Sequence, residues 1–336
     1  MSANNTRLPT EEDVMRTWCK TPEPLVSVIC ITYNQAAFIE DALRGFLVQV
    51  TRFPFEIVVH DDASTDGTAA IVMSYAERYP NIIRPICQTE NQFSQGRKIV
   101  PLVVSNTRGK YVALCEGDDY WTDTNKLGQQ VSILEKHESI DLCWHECSML
   151  DVRSGRLSAR KKGRPRSGWV PLSEVIENDG GFIPTLSLMM RREAIAKMPD
   201  WFNLHAPVSD YFYQICAARR GGGYYIADSM GVYRFNHSGS WSSRTWGNVE
   251  KRLRFEKAFY QCLRFAEPDF PGLSRSFSTL IFRHFTLLGL FAIRSRSREV
   301  FEFARQVVST RQTDLGRVNK WIVALVFASS WKLFMK

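Results

Sequence analysis

Two short apolar runs break directly into carboxylates, and this pattern narrows the fold more than any other feature of the chain. Tyr111-Val112-Ala113-Leu114-Cys115 runs into Glu116-Gly117-Asp118-Asp119-Tyr120-Trp121. Phe55-Glu56-Ile57-Val58-Val59 runs into His60-Asp61-Asp62-Ala63-Ser64-Thr65-Asp66-Gly67-Thr68. Both read as buried strands whose carboxyl ends carry acid. In an open α/β sheet that edge is where ligands bind, and adjacent aspartates there hold a hard divalent cation through oxygen. Together the two acidic strand ends point to a site for a polyphosphate and a metal.

The rest of the first half alternates in the same way. Strand-like segments at 25–32, 55–60, 81–88, 110–115 and 140–150 are separated by helix-like segments at 36–48, 66–79, 99–107 and 123–137. Asp66 and Asp123 read as helix caps, and Pro80 as a helix stop. This order predicts an α/β fold, a mostly parallel central sheet flanked by helices. Beyond Asp151 the rhythm changes. A mobile loop with seven Lys or Arg is expected over 153–166, then a strand at 182–190, a helix at 208–219 and short strands at 224–227 and 231–235. Four helices follow, near 249–265, 274–293, 298–309 and 318–334. The expected organisation is an N-terminal extension (1–24), an α/β body (25–246) and a helical C-terminal appendage (247–336).

Charge sharpens the division. The chain carries a net +8, yet residues 241–336 alone hold 17 Lys/Arg against 7 Asp/Glu, a local +10, leaving −2 on the rest. A basic tail on a near-neutral body points to an anionic surface, lipid or nucleic acid. Residues 1–24 are polar and lack a secretory core, and no run of 18 apolar residues occurs. A cytoplasmic protein is expected, peripheral on the inner face of the cell membrane if the tail meets lipid. The apolar segment 321–334, with Trp at both ends of its span, is too short to cross a bilayer but suits its interface. It equally suits packing on the body or on a second copy in a homo-oligomer. Eight scattered cysteines read as buried thiols in a reducing compartment. Cys143, His145 and Cys147 would share one strand face, but zinc normally takes a fourth ligand from a second knuckle, and none is evident.

Taken in order, Val26-Ser27-Val28-Ile29-Cys30-Ile31-Thr32-Tyr33-Asn34, the 61–68 segment and Glu116-Gly117-Asp118-Asp119 resemble a family 2 glycosyltransferase of the GT-A fold. The resemblance covers about residues 25–240. It implies a mostly inverting enzyme that takes sugar from a nucleoside-diphosphate donor. It places Thr32, Tyr33 and Asn34 against the nucleotide, Asp62 on the base and Asp61 in the loop beside it. It places Asp118 on the ribose or a metal-bound water, and Asp119 on Mn2+ or Mg2+. The general base would be Asp210, early in a helix, although Ser209 stands where relatives often carry a second acid. His237, after a short strand, would reach the diphosphate or metal, and Trp241 would cover the site. Arg97 and Lys98 are candidates to balance the diphosphate, and Phe182, Pro184 and Thr185 to line an acceptor pocket.

Each assignment has a plainer counterpart. Asp61 and Asp62 also suit a turn and cap, Asp118 and Asp119 a solvated turn, Asp210 a helix-start charge and His237 a satisfied structural histidine. The expected acceptor is a cell-surface polysaccharide or a lipid-linked glycan precursor, an expectation carried by the resemblance and the basic tail. A sugar nucleotidyltransferase is the nearest rival enzyme, but no Gly-rich, Arg-containing loop follows the first strand. No G-x-G-x-x-G follows any strand, which disfavours a dehydrogenase. The non-enzyme reading is a membrane- or nucleic-acid-associated binding protein with an inactive GT-A domain.

Overall fold

The computed structural model describes residues 7–21, 23–160, 163–237, 239, 248–310 and 327. These fall into two compact units. The first draws on Met1–Leu172, Gly180–Met198 and Phe212–Ser240, and the second on Ser173–Asp179, Pro199–Tyr211 and Trp241–Lys336.

The first unit is built on a mixed sheet. Its strands are β1 (Val26–Thr32), β2 (Phe55–Asp61), β3 (Ile83–Cys87), β4 (Tyr111–Leu114), β5 (Tyr120–Trp121), β6 (Leu142–Asp151), β7 (Arg156–Ala159), β8 (Gly168–Val170), β9 (Met189–Arg191) and β10 (Gly223–Phe235). They lie in the order β3-β2-β1-β4-β9-β6-β10-β5, with β7 on β6 and β8 on β10. β1, β2, β3 and β4 pair in parallel, as do β6 and β10, while β9 runs antiparallel between β4 and β6. β2 is buried at all seven residues and β1 at six of its seven, as a strand covered on both faces must be. The helix Ile39–Leu47 supplies part of that cover through Ile39, Ala42, Leu43, Phe46 and Leu47.

Register sets the working edge. Thr32 pairs with Asp61, and Asp61 with Cys87, so β1, β2 and β3 finish level. Ile29 pairs with Leu114, and the Gly117 N–H then donates to the Ile31 carbonyl at 3.0 Å. The acidic turn at 116–119 therefore emerges beside the exit of β1. Gly117 is required there by contact. A Cβ at this position would stand 2.6 Å from Gln35 Oε1, 2.8 Å from Thr32 Oγ1 and 2.9 Å from Ile39 Cδ1.

Three expectations change. The basic stretch 153–166 is not simply a mobile loop. It turns back as β7 against β6, and Arg160 buries its guanidinium on Glu146 at 2.6 Å. The strand expected at 182–190 shrinks to β9. Pro184 has no N–H to give a ladder, and its carbonyl instead closes a 3-10 turn through Ser187 N and Oγ. The two short strands near 224–235 are one irregular strand, β10, which shifts register twice against β6.

The second unit packs the helices Val249–Ala266, Ser274–Arg294 and Arg298–Thr310 around Phe259, Leu263, Phe277, Ile281, Phe285 and Phe301. Among the described residues Ser274–Arg294 alone is long and apolar enough to cross a membrane by length and composition, and 61% of its apolar window is buried inside the protein. The helix expected near 318–334 lies outside the described residues.

Lys126 is the fold's least comfortable residue. It is fully buried at the start of the helix Lys126–Lys136, its Nζ lies 3.6 Å over the Trp121 ring, and it has no hydrogen-bond partner. Burial pulls its pKa down to about 7. The unfolded chain, with lysine near 10.4, therefore holds a proton that the folded chain lacks between those two values. Stability should rise with pH across that window. Lys126→Met should flatten the rise and increase Tm at pH 7. Thermal melts of both proteins from pH 7 to 10 test this; a lower Tm with an unchanged slope would refute it.

Candidate active site

The exits of β1 and β2 are laced together by side chains. The Asn34 N–H donates to Ser64 Oγ at 2.8 Å, and the Thr65 N–H donates to Asn34 Oδ1 at 2.8 Å. Asp61 takes the Ser64 N–H at 3.0 Å and its hydroxyl at 2.5 Å. Asp62 donates its own N–H to the Thr32 carbonyl at 3.0 Å. Its carboxylate accepts the N–H groups of Gln92 at 2.8 Å and Phe93 at 3.0 Å. A hydrogen bond from a base to Asp62 would share a carboxylate that already builds a turn. Tyr33 stands 38% exposed beside this lacework.

The acidic turn is held from the far end of the sequence. Asp119 is buried, and its Oδ1 accepts the Arg234 N–H at 2.8 Å. The Arg234 guanidinium donates to the Asp118 carbonyl at 3.0 Å and pairs with Asp41. It lies against two rings, 4.4 Å from the centre of Tyr120 and 5.2 Å from Phe38. Three residues on, the His237 ring meets Phe38 edge-on at 5.0 Å. Its Nε2 stands 3.1 Å from Asp118 Oδ2, out of line for a hydrogen bond.

Four buried polar atoms in this corner have no protein hydrogen-bond partner: Thr32 Oγ1, Gln35 Oε1, Asp119 Oδ2 and His237 Nε2, the last with the Asp118 carboxylate beside it. Each such atom costs roughly 1–3 kcal/mol while unmet, so the corner is arranged for something else. Burial, and then the charges of Asp118 and Glu116, raise the Asp119 carboxyl well above the ordinary aspartate range. That is the condition an added cation relieves. Among the described residues no three His, Cys, Asp or Glu side chains form a cage by themselves. A magnesium-like ion does not need one, because it typically sits on one or two carboxylates and completes its shell with phosphate and water oxygens. The residues present fit such an ion.

The other expected residues are spread more widely. Arg97 is exposed at the end of the 92–97 turn, and Lys98 is half-buried. Phe182 is buried edge-on against Trp144 at 5.9 Å, with Pro184 and Thr185 half-buried after it. Asp210, grouped with the second unit, opens the helix Asp210–Ala217. Burial raises its carboxyl above the usual range, and Asp179 adds to the rise. Trp241 lies outside the described residues. The Cys143 and Cys147 thiols are pushed up to about 12 by burial, so they stay protonated.

The profile of "Glycosyl transferase family 2" matches residues 27–198, just over half of the chain. The chain belongs to glycosyl transferase family 2. An uncharacterised protein of Mycobacterium tuberculosis is 36% identical over 223 residues, which cover 65% of this chain and 61% of the relative. The match thus spans less than two thirds of that relative's length. Among solved structures, S. aureus TarS 1–349 in complex with UDP-GlcNAc superposes with a TM-score of 0.64 at 17% identity, over 92% of this chain and 89% of that 1–349 chain. The mannosyltransferase PcManGT of Pyrobaculum calidifontis, in complex with GDP-Man and Mn2+, gives 0.54 at 18% identity, over 97% and 87%. These likenesses establish the GT-A fold.

Within this family member, sequence reading missed Gln35, Asp41 and Arg234. Arg234 had a faint signal, a cation inside the strand that leads to His237. Asp41 had none, since an acid on a helix surface is unremarkable until the partner 193 residues away is known. Gly117→Ala should force Thr32, Gln35 or the turn itself to move. The expected result is donor turnover at least tenfold lower, with stability reduced by only about 1–3 kcal/mol, the usual cost of overpacking. Measuring donor hydrolysis and urea unfolding together checks this, and native turnover would show that the contact is slack.

Proposed function

We propose that this glycosyltransferase moves a sugar, with inversion, from a nucleoside-diphosphate sugar to a hydroxyl of a cell-surface polysaccharide or a lipid-linked glycan precursor. The observation that carries the proposal is the corner of four buried atoms without a hydrogen-bond partner at the carboxyl edge of the sheet. Three are oxygens and one an imidazole nitrogen, at the exit of β1 and on the acidic turn. Hydroxyls of a ribose suit Thr32 and Gln35, and a divalent ion carried with a diphosphate suits Asp119 and His237. UDP-GlcNAc on TarS and GDP-Man with Mn2+ on PcManGT are consistent with that ligand class.

In this reading Asp119 and His237 hold Mn2+ or Mg2+, with Asp118 beside them. When bound, the ion offsets the charge that grows on the departing diphosphate. The protein's own work is orientation and proton transfer. Arg234 fixes the turn that carries both aspartates. Asp210 takes the proton of the acceptor hydroxyl as its oxygen bonds to the anomeric carbon and the bond from that carbon to the diphosphate oxygen breaks. The raised carboxyl of Asp210 suits a general base, because a higher pKa makes its carboxylate a better acceptor of the hydroxyl proton. Arg97 and Lys98 serve the diphosphate, and 182–185 the acceptor. The basic C-terminal third supports a peripheral place on the inner membrane face, where its cations would meet anionic lipid.

Asp210→Asn should keep metal-dependent donor binding while transfer falls by about 10²–10⁴-fold, the usual worth of a general base. Asp119→Ala should instead weaken donor binding in Mn2+ by tenfold or more. Calorimetry with UDP and GDP sugars, run beside a transfer assay, separates the two. Native transfer by Asp210→Asn would remove the base assignment, and no binding of any donor by the native chain would favour an inactive GT-A binding protein.

Because the base must be ionised, the acid limb of kcat should fall at a higher pH than an ordinary aspartate near 3.9 would give. A kcat profile from pH 4 to 8 measures it. A limb at or below 3.9 contradicts the role.

A further inference from the structure

Between residues 152 and 173 the chain carries seven Lys or Arg and no Asp or Glu. Such a run is usually a solvated loop, but this one is folded and pinned. It leaves β6 through a turn at Gly155, φ 68°, and returns as β7, paired from Arg156 opposite Asp151 to Ala159 opposite Ser148. All four residues of β7 are exposed, so both of its faces meet water.

The hairpin is tied at both ends. At its start Asp151 Oδ1 accepts the Arg153 and Ser154 N–H groups at 3.0 and 3.4 Å, and Oδ2 accepts from Asn236 Nδ2 at 3.2 Å. His237, in the corner described above, follows Asn236 directly. At the far end Arg160 donates to Glu146 at 2.6 Å and to the carbonyls of Gly181 and Phe182 at 3.3 and 3.0 Å. Glu146 also accepts the Tyr225 hydroxyl at 2.9 Å and the Cys147 N–H at 2.8 Å. The chain then crosses this carboxylate so closely that a Cβ on Gly163 would stand 1.7 Å from Glu146 Oε2.

Arg160 therefore serves the frame, while Arg153, Arg156 and Arg166 stand exposed. Asp151, opposite Arg156 in the ladder, gives its carboxylate to amide donors instead. The cations follow the sheet. Arg153 and Arg156 lie level with the end of β10, where Asp151 pairs with Phe235, and Arg166 precedes Ser167, whose hydroxyl takes the Ala227 N–H further back along that strand. The row starts beside the acidic corner and runs past the 181–182 segment. Like charges in a row repel one another, and an extended anion relieves that along its whole length. Among the described residues Leu157 is the one large apolar side chain exposed between 152 and 168. The hairpin thus lacks the apolar face with which a cationic surface enters a lipid interface.

We propose that this hairpin is a track for an anionic acceptor, a glycan chain that bears carboxylate or phosphate groups at intervals. Arg153, Arg156 and Arg166 hold the chain, and Arg160 is the positioning residue that locks the track to 181–182. The inference rests on the reading of the site as a transferase centre with its donor at the acidic turn and its acceptor at 182–185, and it names the class of acceptor.

The test is fluorescence anisotropy of the full chain with three labelled probes: oligogalacturonate, dextran phosphate and neutral dextran. The native chain should bind at least one anionic probe, less tightly as salt screens the charges, and should leave dextran unbound. R153Q/R156Q/R166Q should weaken that binding by about 10- to 100-fold, the range that three exposed charge pairs give. Its Tm and its UDP binding in Mn2+ should stay native, and R294Q/R296Q/R298Q should bind the probes as the native chain does. Equal loss in the two triple variants would overturn the proposal, because net charge and not the hairpin would then be binding. Native binding by R153Q/R156Q/R166Q, or no binding of either anionic probe by the native chain, would also overturn it. A loss seen only on phosphatidylglycerol vesicles would make the hairpin a lipid contact, and an equal loss of UDP affinity would make it part of the donor site; either result sinks the track. Failure of the underlying reading looks different: the native chain would then bind neither UDP nor GDP in Mn2+, whatever the probes do.

Discussion

The buried carboxylate of Asp119 is the constraint around which the first unit is arranged. A carboxylate taken out of water is expensive unless something answers its charge. Here the Arg234 amide answers one oxygen, and the second oxygen has no hydrogen-bond partner. Asp118 and Glu116 stand close enough to make the burden worse. The fold tolerates this because the Arg234 guanidinium is itself immobilised, between Phe38 and Tyr120 and against Asp41. One arginine thus joins the helix Ile39–Leu47, the acidic turn and the end of β10. A planar, always-charged fork can do this where a lysine cannot. The result is a corner whose positive charge is fixed and whose negative charge is in excess, as a site for a mobile cation should be.

Backbone strain gathers at the same edge. Among the described residues four that are not glycine take positive φ, and three of them are Asn34, Ala63 and Asn236. They follow β1, β2 and β10 respectively. Asparagine visits this region readily, but alanine does so at a cost of about 1–2 kcal/mol. Ala63 holds it because Asp61 and Asp62, the two residues before it, are bonded to different partners: one to Ser64, the other to Gln92 and Phe93. Strain of this kind persists where the surroundings over-determine it.

What was legible in the sequence was local. Apolar runs such as 55–59 bury on both faces and carry acid at their ends, so strand, sheet edge and motif could be read from a dozen residues. The parallel half of the sheet follows from that alternation. What was not legible depends on distant partners. Nothing within 153–166 shows that Arg160 will find Glu146, so a charge run conceals a hairpin. A run such as 182–190 looks like a strand by composition, yet Pro184 diverts it into a turn. The acidic motifs marked Asp118 and Asp119, but the residue that positions them is remote in sequence and ordinary in type. Asp62 was visible as a motif residue, while the partners of its carboxylate were not.

That positioning extends past the acidic turn. Two residues after Asp119, the Trp121 indole N–H donates to the Leu186 carbonyl at 2.8 Å. Gln130, on the helix that starts at Lys126, donates to the Ser187 carbonyl at 2.8 Å. Gln214 holds the Ile183 carbonyl and Arg160 the Phe182 carbonyl, each at 3.0 Å. The segment proposed to face the acceptor is therefore pinned through its backbone, leaving Pro184 and Thr185 part-exposed on a fixed frame. Two of those pins come from elements that grow directly out of the acidic turn. A donor-side turn and an acceptor-side segment that share struts cannot drift apart independently, and reactions between two bound molecules depend on such fixed separation. Lys126, its Nζ over the Trp121 ring and without a hydrogen-bond partner, opens the helix that carries Gln130. Its buried amine is a stability cost tolerated inside the frame, and a fold selected for packing alone would have placed an apolar side chain there.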